Sequence, residues 1–233
     1  MMRLVKLAAG VLAATCAAGV AHAVPVTRQA EIVNHSFEEF YNGSSGPSNG
    51  STKALYGWNV GAGSTAAIWN PTAAHFAEPP NQTYDGTYVA RSGGAGAGQT
   101  LSEILVAGRT YELIVSVGDS LAAAEPNWAF ELRAGSNLLA RLTRDTDEGT
   151  LPNGAFADRS IKFTALSTTL GLGEALGIRF YTTSGFAYFD NFRLFVTEDR
   201  PDDPIETPEP GMLALMGLGT LAVAGIRRRR QAA

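Results

Sequence analysis

"TYELIVSVGD", Thr110 to Asp119, places apolar side chains at Tyr111, Leu113, Val115 and Val117, every second position. On an extended strand alternate side chains face the same way, so these four make one apolar face. The pattern recurs downstream. "NWAFELRAG" (127–135) alternates Trp128, Phe130 and Leu132, and "RSIKFTAL" (159–166) offers Ile161 and Phe163. "LGIRFYTTS" (176–184) offers Ile178 and Phe180, and "FAYFDNFRLFVTE" (186–198) surrounds Phe189 with aromatic and apolar neighbours. Turn formers separate these runs at Gly135-Ser136-Asn137, Pro152-Asn153-Gly154 and Thr183-Ser184-Gly185. Short runs of period two between turns predict half-buried strands, and helical periodicity is poor throughout this region. The expectation is an all-β fold: an antiparallel β-sandwich of about eight strands whose inner faces supply the core.

Residues 24–197 are numerous enough for one domain with a sizeable core. Toward the N-terminus the reading is looser. "YNGSSGPSNGSTKALYGW" (41–58) and "SGGAGAGQT" (92–100) read as Gly/Ser loops. The glycines from Gly93 to Gly98 superficially match a nucleotide loop, but no helix pattern follows to receive a phosphate at its N-terminus.

An ordered series of motifs runs through this region: "IVNHSFEE" (32–39), "YGWNV" (56–60), "YDGTYVARSG" (84–93), "GQTLSEILVAGRTYELIVSVG" (98–118) and "FAYFDNFRLF" (186–195). The series resembles the galactose-binding-like jelly rolls of many carbohydrate-binding modules. These open on an Asn-x-x-Phe-Glu strand, follow with Gly-Trp, and close on a strand bearing Asp-Asn. The resemblance implies that the first and last strands lie side by side. It also implies a structural calcium near the opening Glu and the closing Asp, here Glu38 and Asp190. Calcium takes six to eight hard oxygen ligands, so two carboxylates and backbone carbonyls would suit it. Read without the resemblance, Glu38 and Asp190 are ordinary strand-end carboxylates. "RDTDEG" (144–149) reads as a solvated loop, because Gly149 stands where a calcium loop needs Asp or Asn.

Sugar rings stack on flat aromatic side chains, which makes Trp69, Tyr84 and Tyr88 the candidate glycan-binding residues. Trp69 lies beside a loop and is expected as the exposed platform. Trp58, after Gly57, and Trp128, heading an alternating strand, are expected in the core. Apparatus for catalysis is missing from the pattern. His35 and His75 form no HxH or HExxH spacing, and there is no G-x-S-x-G elbow. Sixteen acids lie between 24 and 197, and nothing marks a pair of them for glycoside hydrolysis. The expectation is a non-catalytic protein with a carbohydrate-binding or structural role. The alternative is a polysaccharide-acting hydrolase built on a carboxylate pair.

The two ends of the chain carry addresses. Arg3 and Lys6 precede an apolar run from Leu7 to Val20 and then Ala21-His22-Ala23, the layout of a secretory signal peptide for signal peptidase, spanning 1–23. The run is short for a membrane span, which needs about 20 apolar residues. Cys16 is the chain's one cysteine, so the mature protein forms no disulfide. At the other end, 198–210 holds six acids, one arginine and four prolines, and reads as an extended tether. It closes on Pro208-Glu209-Pro210. An uncharged stretch, 211–226, follows and reads as a short transmembrane helix. Then come Arg227, Arg228, Arg229 and Arg230 in a basic tail, 227–233, which the positive-inside rule keeps cytoplasmic.

These three parts in order resemble the PEP-CTERM sorting signal of Gram-negative bacteria. The resemblance implies recognition by an exosortase, transient anchoring in the membrane, and delivery to the cell envelope or extracellular matrix, where exopolysaccharide is the expected partner. Between the signal peptide and the basic tail, 12 basic residues face all 22 acidic ones. Such a surface does not attract nucleic acid, whose affinity depends on Lys and Arg neutralising phosphates.

Overall fold

The computed structural model describes residues 24–200, apart from 49, 78–82, 123–124 and 148. The expected signal peptide and membrane helix, the Pro-Glu-Pro motif and the basic tail lie outside the described residues. In chain order the strands are β1 (Val24–Ala30), β2 (Thr52–Lys53), β3 (Asn59–Val60), β4 (Ala67–Trp69), β5 (Val89–Ser92) and β6 (Ala97–Ile104). They continue with β7 (Thr110–Asp119), β8 (Asn127–Ala134), β9 (Asn137–Thr143), β10 (Ala155–Thr164), β11 (Ala175–Ser184) and β12 (Ala187–Arg200). Among the described residues no helix is long and apolar enough to cross a membrane.

Two antiparallel sheets face each other in a jelly-roll sandwich, as the alternation predicts. One runs β10-β7-β12-β5-β4-β2, with β1 also paired to β12. The other runs β3-β6-β11-β8-β9. The first and last strands are therefore neighbours, and Thr27 Oγ1 meets Thr197 Oγ1 at 2.8 Å between them. The four apolar residues of β7 face inward and are fully buried, as are Phe130 and Leu132 of β8 and Phe180 of β11. Each such side chain contributes roughly 1.5–3 kcal/mol by leaving water.

The Asn-x-x-Phe-Glu motif forms a turn over residues 33–36 rather than a strand, and the opening strand precedes it. Asn34 and Phe37 both adopt left-handed backbone, at φ 50° and 58°. Hydrogen bonds hold that conformation. The Asn34 amide donates to the carbonyls of Glu39 and Tyr56, its Oδ1 accepts the Glu39 N–H, and its carbonyl accepts the Trp58 indole N–H. The turn drives Phe37 into the core, against the rings of Trp58, Phe180 and Phe192. The glycine loop is shorter than its sequence implies: Ala97 and Gly98 already belong to β6.

A second core lies on the outer face of the seven-stranded sheet. Trp69, Phe76, Val89, Phe156 and Tyr188 pack there with Tyr84. Register explains the room for it. Gly118 sits between Phe156 and Tyr188 on neighbouring strands, and a Cβ at Gly118 would lie 2.6 Å from the Phe156 ring.

Candidate functional site

Glu38 and Asp190 converge on one loop, Thr83 to Tyr88. The turn at Asn34–Phe37 aims Glu38 at it, and Glu38 Oε1 accepts the backbone N–H of Thr87 at 2.7 Å and of Tyr88 at 2.6 Å. Asp190 lies on β12 opposite Ser116, and its Oδ2 accepts the Asp85 N–H at 2.6 Å. The loop's own Thr83 carbonyl accepts from the Asn191 amide at 3.2 Å and lies 2.8 Å from Ser116 Oγ. Asp190 is fully buried, and its Oδ1 has no hydrogen-bond partner among the described residues. Burial is the main cause holding its carboxyl well above the usual range, with the charges of Asp85 and Glu38 adding to it. Burial likewise raises Glu38, against the two amides that lower it. The pair thus clamps a loop through its amides, and it keeps one buried carboxylate oxygen unmatched.

The aromatic candidates are not an exposed cluster. Trp69 is 1% exposed, contrary to the platform expected of it. Both faces of β4 are covered: Ile68 enters the sandwich core and Trp69 enters the outer core, against Tyr188, His75 and Phe76. Tyr84 and Tyr88 are half-buried, Tyr84 against Phe156 and Tyr88 against Phe40. Trp58 and Trp128 are core residues, as expected.

The five-stranded sheet instead presents an open face. Asn59, Gly98, Arg179, Glu131 and Arg141 lie side by side across its five strands, one from each. The next row holds Thr100, Gly177 and Arg133. The glycines leave a groove of about 430 Å3, lined by Asn59, Gly98, Thr100, Arg133, Gly177 and Arg179. Beside it Glu131, 3% exposed, takes Arg133 at 2.9 Å, Arg141 at 3.3 Å and the Tyr181 hydroxyl at 3.3 Å. The Arg179 guanidinium lies 4.7 Å over the Tyr181 ring and donates to the Ala95 carbonyl.

A model of the HpiC1-like family, described as HpiC1 cyclase, matches residues 28–195. The chain belongs to the HpiC1-like family. A second model, the PEP-CTERM protein-sorting motif, matches residues 206–230 and marks this HpiC1-like chain for export and membrane-associated sorting, with an exosortase as processing partner. Among solved structures the chain is similar to a Stig cyclase, Fisc, from Fischerella sp. TAU in complex with (3Z)-3-(1-methyl-2-pyrrolidinylidene)-3H-indole. The two share 22% identity over 75% of this chain and 100% of that one, with a TM-score of 0.61. A cyclase from Fischerella sp. TAU in complex with 4-(1H-indol-3-yl)butan-2-one gives 23% identity, 74% and 99% coverage, and a TM-score of 0.59. The CBM22-1 xylan-binding domain from Paenibacillus barcinonensis gives 14% identity, 78% and 100% coverage and a TM-score of 0.42, too loose to bear on function. No curated protein matches.

Sequence reasoning missed the groove. Its signal was present in the outward positions of two strands it had found, Gly177, Arg179 and Tyr181 on β11 and Glu131 and Arg133 on β8.

Proposed function

We propose that this HpiC1-like protein is a non-catalytic, carbohydrate-binding or structural protein of the cell envelope or extracellular polysaccharide matrix of a Gram-negative bacterium. Signal peptidase and an exosortase would process its two ends. The observation that carries the binding role is the glycine-floored groove on a rigid sheet face, bordered by arginine, asparagine and threonine side chains. Sheet positions hold polar groups in fixed geometry, which lowers the entropy lost when a glycan is ordered against them. The test is affinity electrophoresis of the full chain in gels containing polysaccharide from the producing organism. Retardation that Tyr181→Ala and Arg179→Ala weaken supports the reading. Migration unchanged by any polysaccharide removes the binding role and leaves the structural one.

A structural calcium belongs to this proposal. The unmatched buried Oδ1 of Asp190 is where a cation would supply the missing partner, and Glu38 and Asp190 would hold it. A melting temperature that rises with calcium and falls with chelator supports the ion.

Family membership favours a second reading, an enzyme with cyclase chemistry. Its specific support is Asp190, a carboxyl whose pKa burial raises well above the usual range. In that reading Asp190 would donate a proton to a bound substrate. Titrating the chain with 4-(1H-indol-3-yl)butan-2-one, the compound bound to the similar cyclase, tests it. Binding abolished in Asp190→Asn supports the enzyme reading, and no binding removes its substrate.

A further inference from the structure

We propose that the groove selects an acidic glycan, one whose sugar carboxylates dock on Arg179. This deepens the binding role above and rests on it. Charge is the first observation. The chain is acidic overall, with a net charge of −4, yet this face gathers Arg133, Arg141 and Arg179 around the carboxylate of Glu131, with the Glu174 carboxyl beside Gly135 at one end of the groove. Glu131 is already shared by Arg133, Arg141 and the Tyr181 hydroxyl. Arg179 pairs with no carboxylate among the described residues. One backbone carbonyl and the face of Tyr181 hold it in place at the groove wall. An arginine fixed in this way has donors left over, and its planar fork matches a carboxylate through two parallel hydrogen bonds.

The second observation is the floor. Gly177 is the third residue of β11, beside a register shift against β6, and it does not have a left-handed backbone. A Cβ there would meet only the Gln99 carbonyl at 3.6 Å and Arg133 Cβ at 3.9 Å, both ordinary contacts. The fold has room for a side chain at 177, and glycine weakens a strand. What glycine provides is open space between Arg133 and Thr100, its neighbours across the sheet. Gly98 also leaves bare backbone, between Asn59 and Arg179, but there the fold itself requires glycine, since a Cβ would lie 2.9 Å from the Ile178 carbonyl. A sugar ring fits a floor of bare backbone, and Arg179 stands at the groove wall to meet its acid group.

Three probes on the full chain separate charge from sugar: polygalacturonate, its fully methyl-esterified form, and polyglutamate. The proposal expects polygalacturonate to bind at least about tenfold more tightly than the ester. Its binding should weaken as salt screens the arginines over a Debye length of about 8 Å at physiological ionic strength. Arg179→Gln should cost about tenfold or more, since truncating one partner of such a pair removes both hydrogen bonds. Gly177→Leu should block binding with the melting temperature preserved, which shows an occupied groove in a folded protein. Equal binding of acid and ester overturns the acidic preference while the carbohydrate role stands. Polyglutamate binding as tightly as polygalacturonate overturns the sugar and leaves a general anion patch. Failure of both pectins overturns this proposal and removes the support for the groove as a glycan site.

Discussion

Asp190 Oδ2 accepts the backbone N–H of Asp85 at 2.6 Å, while Oδ1 of the same carboxylate is buried without a hydrogen-bond partner among the described residues. A carboxyl whose folded pKa lies above its unfolded one binds more protons folded than unfolded. Its contribution to stability is complete below the unfolded value, 3.8 for Asp190, and is lost as pH rises through the raised one. Asp190→Asn keeps the shape and removes the charge. The variant is expected to gain stability relative to the parent as pH increases from 4 upward. Thermal melts of both proteins across that range, in chelator, give the difference. A difference that does not vary with pH would mean that Asp190 titrates in the folded protein as it does unfolded.

Gly86 reports on the other half of the clamp. It adopts φ +78°, and a Cβ there would lie 2.5 Å from the Glu38 carboxyl. Gly86→Ala therefore combines backbone strain with a collision against the acceptor of two amides. A loss of about 1–3 kcal/mol is expected in chemical denaturation, from the strained conformation. Glu38→Gln keeps an acceptor of weaker charge and should lose less. The reverse order would place the loop's stability elsewhere than in the Glu38 contact.

Asp119 gives a second pH dependence with a defined window. It is 6% exposed at the end of β7, and burial, with the charge of Glu125 second, raises its pKa from 3.8 to about 6 against the opposing Arg144. Glu125 is itself held by Arg144 and the Trp128 indole, each at 3.2 Å. Stability from Asp119 is complete below pH 3.8 and is lost as pH rises through about 6. Solvent screening reduces the effect to on the order of 1 kcal/mol. Asp119→Asn should close that gap between pH 4 and pH 7, and matched denaturation curves at the two pH values measure it.

Legibility in the sequence followed the length and regularity of each strand. β7, β8, β10, β11 and β12 run for 8 to 14 residues, and their period of two was readable because large apolar side chains recur at alternate positions on the core face of each. β2 to β5 run for 2 to 4 residues, too short to show any period. Glu38 and Asp190 were legible only through the motifs that contain them, because their partners are backbone amides that no side-chain pattern encodes. The groove was hidden for another reason. Arg179 lies opposite Gly98 and Glu131, partners that only the strand pairing brings together.

Trp69 tests the difference between a core residue and a binding platform. It packs 5.0 Å from Tyr188 and 4.8 Å from His75, with Arg91 5.9 Å above its ring, and its indole N–H has no hydrogen-bond partner among the described residues. Trp69→Ala empties much of the outer core and should cost about 3–5 kcal/mol, as large-to-small core changes do. Trp69→Phe retains a ring and breaks no hydrogen bond, so about 1 kcal/mol is expected. Trp69 belongs to β4 of the seven-stranded sheet and the groove to the other sheet, so the affinity of folded Trp69→Phe for any groove ligand should match the parent within about a factor of two, as distant sites behave additively. Melting and binding measured on the same two variants decide the matter. Affinity lost at unchanged stability would make Trp69 part of a ligand surface, and stability lost at unchanged affinity assigns it to the core.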